Sequence, residues 1–192
     1  MSTPKKSEIL VPALILTTIC LIAAVAMAAT YEITKPIIAE RERTEQEEAR
    51  KKVLPLAQDF TQLELVNPSP LVKSLWKGGS AGYVVTISPV GYGGPISLTV
   101  GIDTQGSVTG LHFGTNTETP GLGTKMKDPA FAKQFIGYKK RPPELRVTKN
   151  GAKALGEIDA LSGATITSRA VTLGVQTALQ LVLQIQGESN GK

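Results

Sequence analysis

The run Asp159-Ala160-Leu161-Ser162-Gly163-Ala164-Thr165-Ile166-Thr167-Ser168 sets small residues and hydroxyls directly ahead of an amphipathic stretch, Arg169 to about Gln186. A helix N-terminus carries unpaired backbone N–H groups and the positive end of the peptide dipole, so a phosphate is stabilised there without dedicated lysines. Gly163 and Ala164 let the backbone approach a bulky ligand, and Thr165 offers a hydroxyl that can be esterified. Upstream, Thr115-Asn116-Thr117-Glu118-Thr119-Pro120-Gly121-Leu122-Gly123-Thr124-Lys125-Met126 reads as a tight loop with exposed amides. Alone it is a generic Pro-Gly turn. Beside the first run it suits the polar edge of a flat ligand, with Leu122 against the ligand's face. No Ser-His-Asp or Cys-His arrangement is legible that would activate Thr165, so esterification calls for an outside catalyst. Lys125, Lys127 and Arg169 are the nearest cations by sequence and read as surface charge.

Composition narrows the class. The chain has 192 residues, room for one domain plus an anchor. Its net charge of +5 is spread out, with no dense basic tract and no interleaved aromatics, so no nucleic-acid partner is expected. The single cysteine, Cys20, lies in an apolar run, and His112 is the only histidine. No disulfide, no protein metal site and no catalytic residues are expected.

Several elements must position the chemical residues. Leu10 to Ala29 is a run of 20 residues without a charge, which at about 1.5 Å per residue matches a hydrocarbon core of roughly 30 Å. Lys5 and Lys6 precede it, which predicts a cytoplasmic N-terminus and a domain outside the membrane. A cleaved signal peptide is the rival reading, but the run exceeds the ~7–15 residue core of such peptides. Lys35 to Leu56 alternates in charge and reads as a solvated helix ended by Pro55, in which Ile37, Ile38, Val53 and Leu54 supply little apolar face. Tyr83 to Ser88, Ile96 to Ile102 and Val108 to Phe113 alternate as strands. The loop Gly91-Tyr92-Gly93-Gly94-Pro95 between the first two reads as a turn through which a flat ligand or a partner can come close. A short helix is expected over Pro129 to Phe135, and a closing helix capped by Thr167 or Ser168. The expected class is α+β: an N-terminal transmembrane helix, then one extracytoplasmic domain with an antiparallel sheet and packed helices. The divisions are a cytoplasmic N-terminus over 1–9, the spanning helix over 10–30, a charged linker over 31–58, the domain over 59–188 and a tail over 189–192.

The run Ser162-Gly163-Ala164-Thr165 with its upstream Asp159 resembles the flavinylation motif of FMN-binding subunits in bacterial respiratory complexes. Together with Glu118-Thr119-Pro120-Gly121-Leu122-Gly123, the Gly91 to Ile102 stretch and the single anchor, it resembles the RnfG component of the Rnf electron transport complex, from the anchor to the final helix. The resemblance implies FMN joined by a phosphoester to Thr165, with Asp159 read by a flavin transferase that uses FAD as donor. Ser162, Gly163 and Ala164 would complete the motif, and Thr167 and Ser168 would bind the phosphate or cap the helix. Glu118, Thr119, Pro120, Gly121, Leu122 and Gly123 would hold the ring. It further implies an electron-carrying subunit of an ion-translocating ferredoxin:NAD oxidoreductase in the bacterial inner membrane, without turnover of its own. Its partners would be the other subunits, the transferase and the bilayer. Free flavin is scarce outside the cytoplasm, so a covalent tether removes dissociation from the problem. Many relatives carry a histidine pair where this chain has Asn116 and Thr117. The alternatives are the NqrC component of the sodium-pumping NADH:quinone oxidoreductase, which is typically longer, a freestanding extracytoplasmic FMN carrier, and a flavin-free assembly module.

Overall fold

A computed structural model describes residues 6–65, 69–139, 145–149 and 151–190. Lys5 of the basic flank and residues 191–192 of the tail lie outside the described residues. The chain forms two compact units, Met1–Glu45 and Gln46–Lys192.

The first unit lies within helix α1 (Lys6–Val53), the one helix among the described residues with the length and hydropathy to cross a membrane. Its apolar side chains from Leu10 onward are exposed, as a lipid-facing segment requires. The threonine hydroxyls are satisfied locally: Thr17 donates to Ala13 O (2.8 Å), Thr18 to Leu14 O (2.9 Å), Thr30 to Ala26 O and Thr34 to Thr30 O (both 2.8 Å). Such back-bonding hides each hydroxyl from hydrocarbon. The charged stretch is not a separate helix; α1 continues through Pro36, whose missing N–H removes one rung of the ladder. The helix stops at Val53 because Pro55 restricts the residue before it, Leu54, to extended geometry.

The second unit is built on a five-stranded antiparallel meander, β1 (Thr61–Leu63), β2 (Val72–Gly78), β3 (Gly82–Ile87), β4 (Ile96–Asp103) and β5 (Val108–Asn116), in that spatial order. β1 and β2 are additions to the three strands expected from the sequence pattern. On one face the alternating side chains Leu75, Val85, Ile87, Leu98, Val100, Ile102 and Phe113 are buried. They meet the apolar stripe Val171, Val175, Ala178, Leu179 and Val182 of helix α3 (Thr165–Asn190). Each such side chain contributes about 1.5–3 kcal/mol by leaving water. Gly174 permits the close approach: a Cβ there would lie 2.9 Å from Ile87 Cδ1 and 3.1 Å from Leu98 Cδ2.

The other face receives the end of α1. Trp76, Val84, Gly101 and Gly110 lie in register across β2 to β5. The two glycines form a notch, since a Cβ on Gly101 would strike the Val53 carbonyl and one on Gly110 would reach Val53 Cα at 3.0 Å. Thr109 Oγ1 donates to Val53 O (2.6 Å), satisfying a carbonyl that a helix end leaves unpaired. Val53, Leu54 and Val84 form a small core of their own, and the Arg50 guanidinium lies 4.0 Å from the Trp76 ring centroid. Val53 and Leu54, expected to supply little apolar face, are therefore core residues.

The remaining elements serve the site. A 3₁₀ turn (Gly123–Lys127) leads into α2 (Pro129–Lys133), where Asp128 caps by accepting from Ala130 N (3.0 Å). β6 (Arg146–Thr148) and β7 (Glu157–Asp159) pair in parallel, an addition to the expected antiparallel sheet. Glu157 accepts from Lys153 N (2.9 Å), from Arg146 Nη2 (2.6 Å) and from Ala154 N (3.0 Å), closing the approach to β7. These donors hold its carboxyl below the ordinary carboxylate value, the Lys153 amide contributing most.

Candidate functional site

Three segments distant in sequence meet at the N-terminus of α3. β7 delivers Asp159, whose backbone is fixed by Gln134: Asp159 N donates to Gln134 Oε1 (2.7 Å). The chain then turns through Ser162 and Gly163 into α3. Gly163 has φ +76°, the left-handed region that disfavours any residue with a Cβ, and a Cβ there would lie 3.0 Å from Leu122 Cδ2. Gly163 thus serves the turn geometry as well as close approach.

Helix α3 begins at Thr165, earlier than expected, and this corrects the capping role assigned to Thr167 and Ser168. Both lie in its first turn and are buried. Ser168 Oγ donates to Ala164 O (3.0 Å) and accepts from Leu161 N (3.0 Å), tying the turn to the helix. Thr167 Oγ1 donates to Glu118 Oε2 (2.8 Å), so its hydroxyl proton is directed away from any phosphate. The N–H groups of Thr165, Ile166 and Thr167 have no acceptor among the described residues, as the first turn of a helix dictates.

Glu118 is the keystone of the second segment. It is 5% exposed, and its other oxygen, Oε1, accepts from Gly93 N (3.1 Å). Thr117 Oγ1 adds a bond to Gly93 O (2.8 Å). The carboxylate therefore binds the loop between β3 and β4 to helix α3. Cβ atoms on Gly91 or Gly123 would collide with it, so those glycines are needed for contact. The loop amides are largely used internally: Glu118 N donates to Asn116 Oδ1, Gly121 N to Thr124 Oγ1, Leu122 N and Thr124 N to Thr119 O. Thr119 and Gly123 keep the N–H groups without an acceptor among the described residues. This revises the expectation of a loop with generally exposed amides.

Between these segments lies a cavity of about 820 Å³, within the roughly 300–1,000 Å³ of small-molecule sites. Asp159, Ser162, Gly163, Ala164, Thr165 and Thr167 line one side, and Glu118, Thr119, Leu122 and Gly123 the other. Pro120, Gly121 and Ser168 do not line it and act only through the turns they form. Tyr92, Lys149, Gly151 and Ile166 line it beyond the residues expected from sequence. Tyr92 stands between two glycines, which was the available signal. Lys149 is the cation on the wall, whereas Lys125, Lys127 and Arg169 are exposed elsewhere. Among the lining residues there is no histidine or cysteine.

The donor set fits a flavin mononucleotide. Unpaired helix N–H groups suit its phosphate, and a roomy cavity with apolar Leu122 and Ile166 suits its ring. Residues 91–180 match the FMN-binding domain family, and residues 1–53 match the RnfG N-terminal region. The chain is 36% identical to the RnfG-type component of the ion-translocating oxidoreductase complex of Methanosarcina acetivorans, over 86% of this chain and 90% of that protein. It is 35% identical to the corresponding component of the Na(+)-translocating ferredoxin:NAD(+) oxidoreductase complex of Acetobacterium woodii, over 88% of each. The crystal structure of Shewanella oneidensis NqrC is similar over 55% of this chain and 52% of that one, at 26% identity and a TM-score of 0.48. With its N-terminal region, its FMN-binding domain and relatives matched over nearly their full length, the chain belongs to the RnfG family of ion-translocating oxidoreductase components.

Proposed function

We propose that this chain is the membrane-anchored electron carrier of an ion-translocating ferredoxin:NAD oxidoreductase complex, with FMN esterified to Thr165. One observation supports this above the others: Thr165 is the first residue of α3 and lines the cavity that Asp159, the Ser162–Ala164 turn and the Glu118–Gly123 loop enclose. When bound, the flavin supplies reversible electron storage. The chain supplies position and electrostatics. The N–H groups of Thr165, Ile166 and Thr167 direct positive dipole density at the phosphate. Leu122 covers apolar surface, and the unused N–H groups of Thr119 and Gly123 serve polar atoms of the ring. Glu118 positions the walls through Gly93 and Thr167, and with both oxygens occupied in this way it touches the flavin little.

Maturation needs a flavin transferase, because the lining offers Thr165 no histidine or cysteine base. Asp159, exposed at the cavity wall, is the recognition residue. The apolar part of α1 lies in the bilayer with its basic flank in the cytoplasm, which places the flavin domain outside.

The test is in-gel flavin fluorescence after denaturing electrophoresis, with wild type and Thr165→Val each co-expressed with a flavin transferase. Fluorescence in the wild-type band alone is the expected result. A fluorescent Thr165→Val band moves the attachment site. Two dark bands, with the transferase active on a control substrate, refute covalent attachment.

A further inference from the structure

We propose that Tyr92 stacks on the isoalloxazine ring of the bound flavin, an assignment that rests on the FMN reading above. Tyr92 sits at the tip between β3 and β4, in Gly91-Tyr92-Gly93-Gly94-Pro95. Four glycine and proline neighbours suggest a flexible turn, yet the loop is fixed. Gly91 N donates to Gly94 O (2.8 Å), and Val90 bridges Pro95. Gly93 N donates to Glu118 Oε1 (3.1 Å), and Gly93 O accepts from Thr117 Oγ1 (2.8 Å). Cβ atoms on Gly91 and Gly93 would collide with the Glu118 carboxylate and the Thr117 carbonyl, so the backbone lies flush on that segment.

Out of this held loop projects a tyrosine that is 72% exposed and lines the cavity. An aromatic side chain normally buries most of its surface, and a rigid loop that presents one bare gives up that stabilisation unless a ligand covers it. Leu122 (44%) and Ile166 (52%) are exposed on the same lining, so the uncovered surface is an apolar set within one cavity. Tyr92 is the aromatic residue among those lining residues. An electron-rich phenol facing an electron-poor flat ring is a favourable offset stack. The same Glu118 that binds Thr167 beside the esterified position also binds Gly93 beside Tyr92. The phosphate site and the ring site are thereby held by one carboxylate.

The test uses the full chain in detergent, flavinylated by a co-expressed transferase, with wild type, Tyr92→Ala and Tyr92→Phe compared. Flavin incorporation is read in denaturing gels, emission yield in the folded protein, and solvent access by iodide quenching. A stacked phenol lends an electron to the excited flavin and takes it back, which quenches emission. Tyr92→Ala is expected to raise emission several-fold and to steepen iodide quenching, at wild-type incorporation. Tyr92→Phe is expected to raise emission while keeping protection from iodide, a split that a merely structural role would not give. Emission and iodide access at wild-type levels in both variants overturn the proposal and point to a protein partner for Tyr92. If Tyr92→Ala takes up no flavin, Tyr92→Phe decides by the same two readings. Absence of flavin from the wild type itself refutes the FMN reading, and the stacking proposal with it.

Discussion

The bond between Thr167 and Glu118 is the contact on which the site's geometry most depends, and its energy can be isolated. Both residues are buried, and the hydroxyl meets the carboxylate at 2.8 Å. A hydrogen bond to a charged group in such a place contributes about 1.5–3 kcal/mol. Thr167→Val keeps the shape but leaves Glu118 Oε2 without its donor, which should cost about 2 kcal/mol. In a Glu118→Leu background the same change should cost almost nothing, because the carboxylate that needed the hydroxyl is gone. Glu118→Leu itself also orphans the Gly93 N–H, but that loss is common to both arms of the cycle. At about 3 °C per kcal/mol for a unit of this size, Thr167→Val should lower Tm by about 6 °C in the wild type. The assay is thermal unfolding of the flavin-free chain in detergent, followed by emission of Trp76, its only tryptophan. Equal costs in the two backgrounds, within about 0.5 kcal/mol, would refute the claim that this bond holds the walls together.

Three further outcomes are expected. Gly163→Val should abolish covalent flavin in denaturing gels, since valine at φ +76° is strained by about 1–3 kcal/mol and crowds Leu122; full incorporation in a folded variant refutes this. Gly101→Ala should drive a methyl into the Val53 carbonyl, break its bond from Thr109 and cost about 1–3 kcal/mol in the same melts. Trp76 emission should shift with it, because Arg50 lies over that ring; an unchanged spectrum and melt would count against the notch. Glu157 titrates below its ordinary 4.5 in the folded chain, so its bonds stabilise above that value and the stabilisation is lost as pH falls through the folded pKa. The Tm gap between wild type and Glu157→Gln should therefore be full at neutral pH and shrink below about pH 4.5; a constant gap down the acid range would exclude it.

The strands that were legible are those whose pattern obeys a simple period. Val84, Ile87, Leu98 and Val100 stand out because β3 and β4 are central and regular. β2 escaped because its register shifts between Val72 and Ser74, and a bulge breaks the alternation on which sequence reading depends. β1, β6 and β7 have three residues each, too few to show any period. Val53 and Leu54 look marginal on their own helix because the notch that buries them, Gly101 and Gly110, is contributed from the far side of the sheet. At the site, the Ser162–Thr165 run is legible as chemistry since small residues before a helix have a local meaning. Glu118 is legible as a member of the loop, but its role is not. An acidic residue in a polar loop gives no sign that it is buried, or that its partners are Gly93 and Thr167.

The two partners of Glu118 also impose an order on biosynthesis. Gly93 precedes it by 25 residues and Thr167 follows it by 49. During translation the β3–β4 loop and the Glu118 segment can meet early, but the wall carrying Thr165 is missing until α3 has left the ribosome and docked on the sheet. Contacts of such sequence separation form late, since the loop between them must be closed first. A transferase that requires the assembled cavity would then act only on finished domains, and a nascent or misfolded chain would stay colourless.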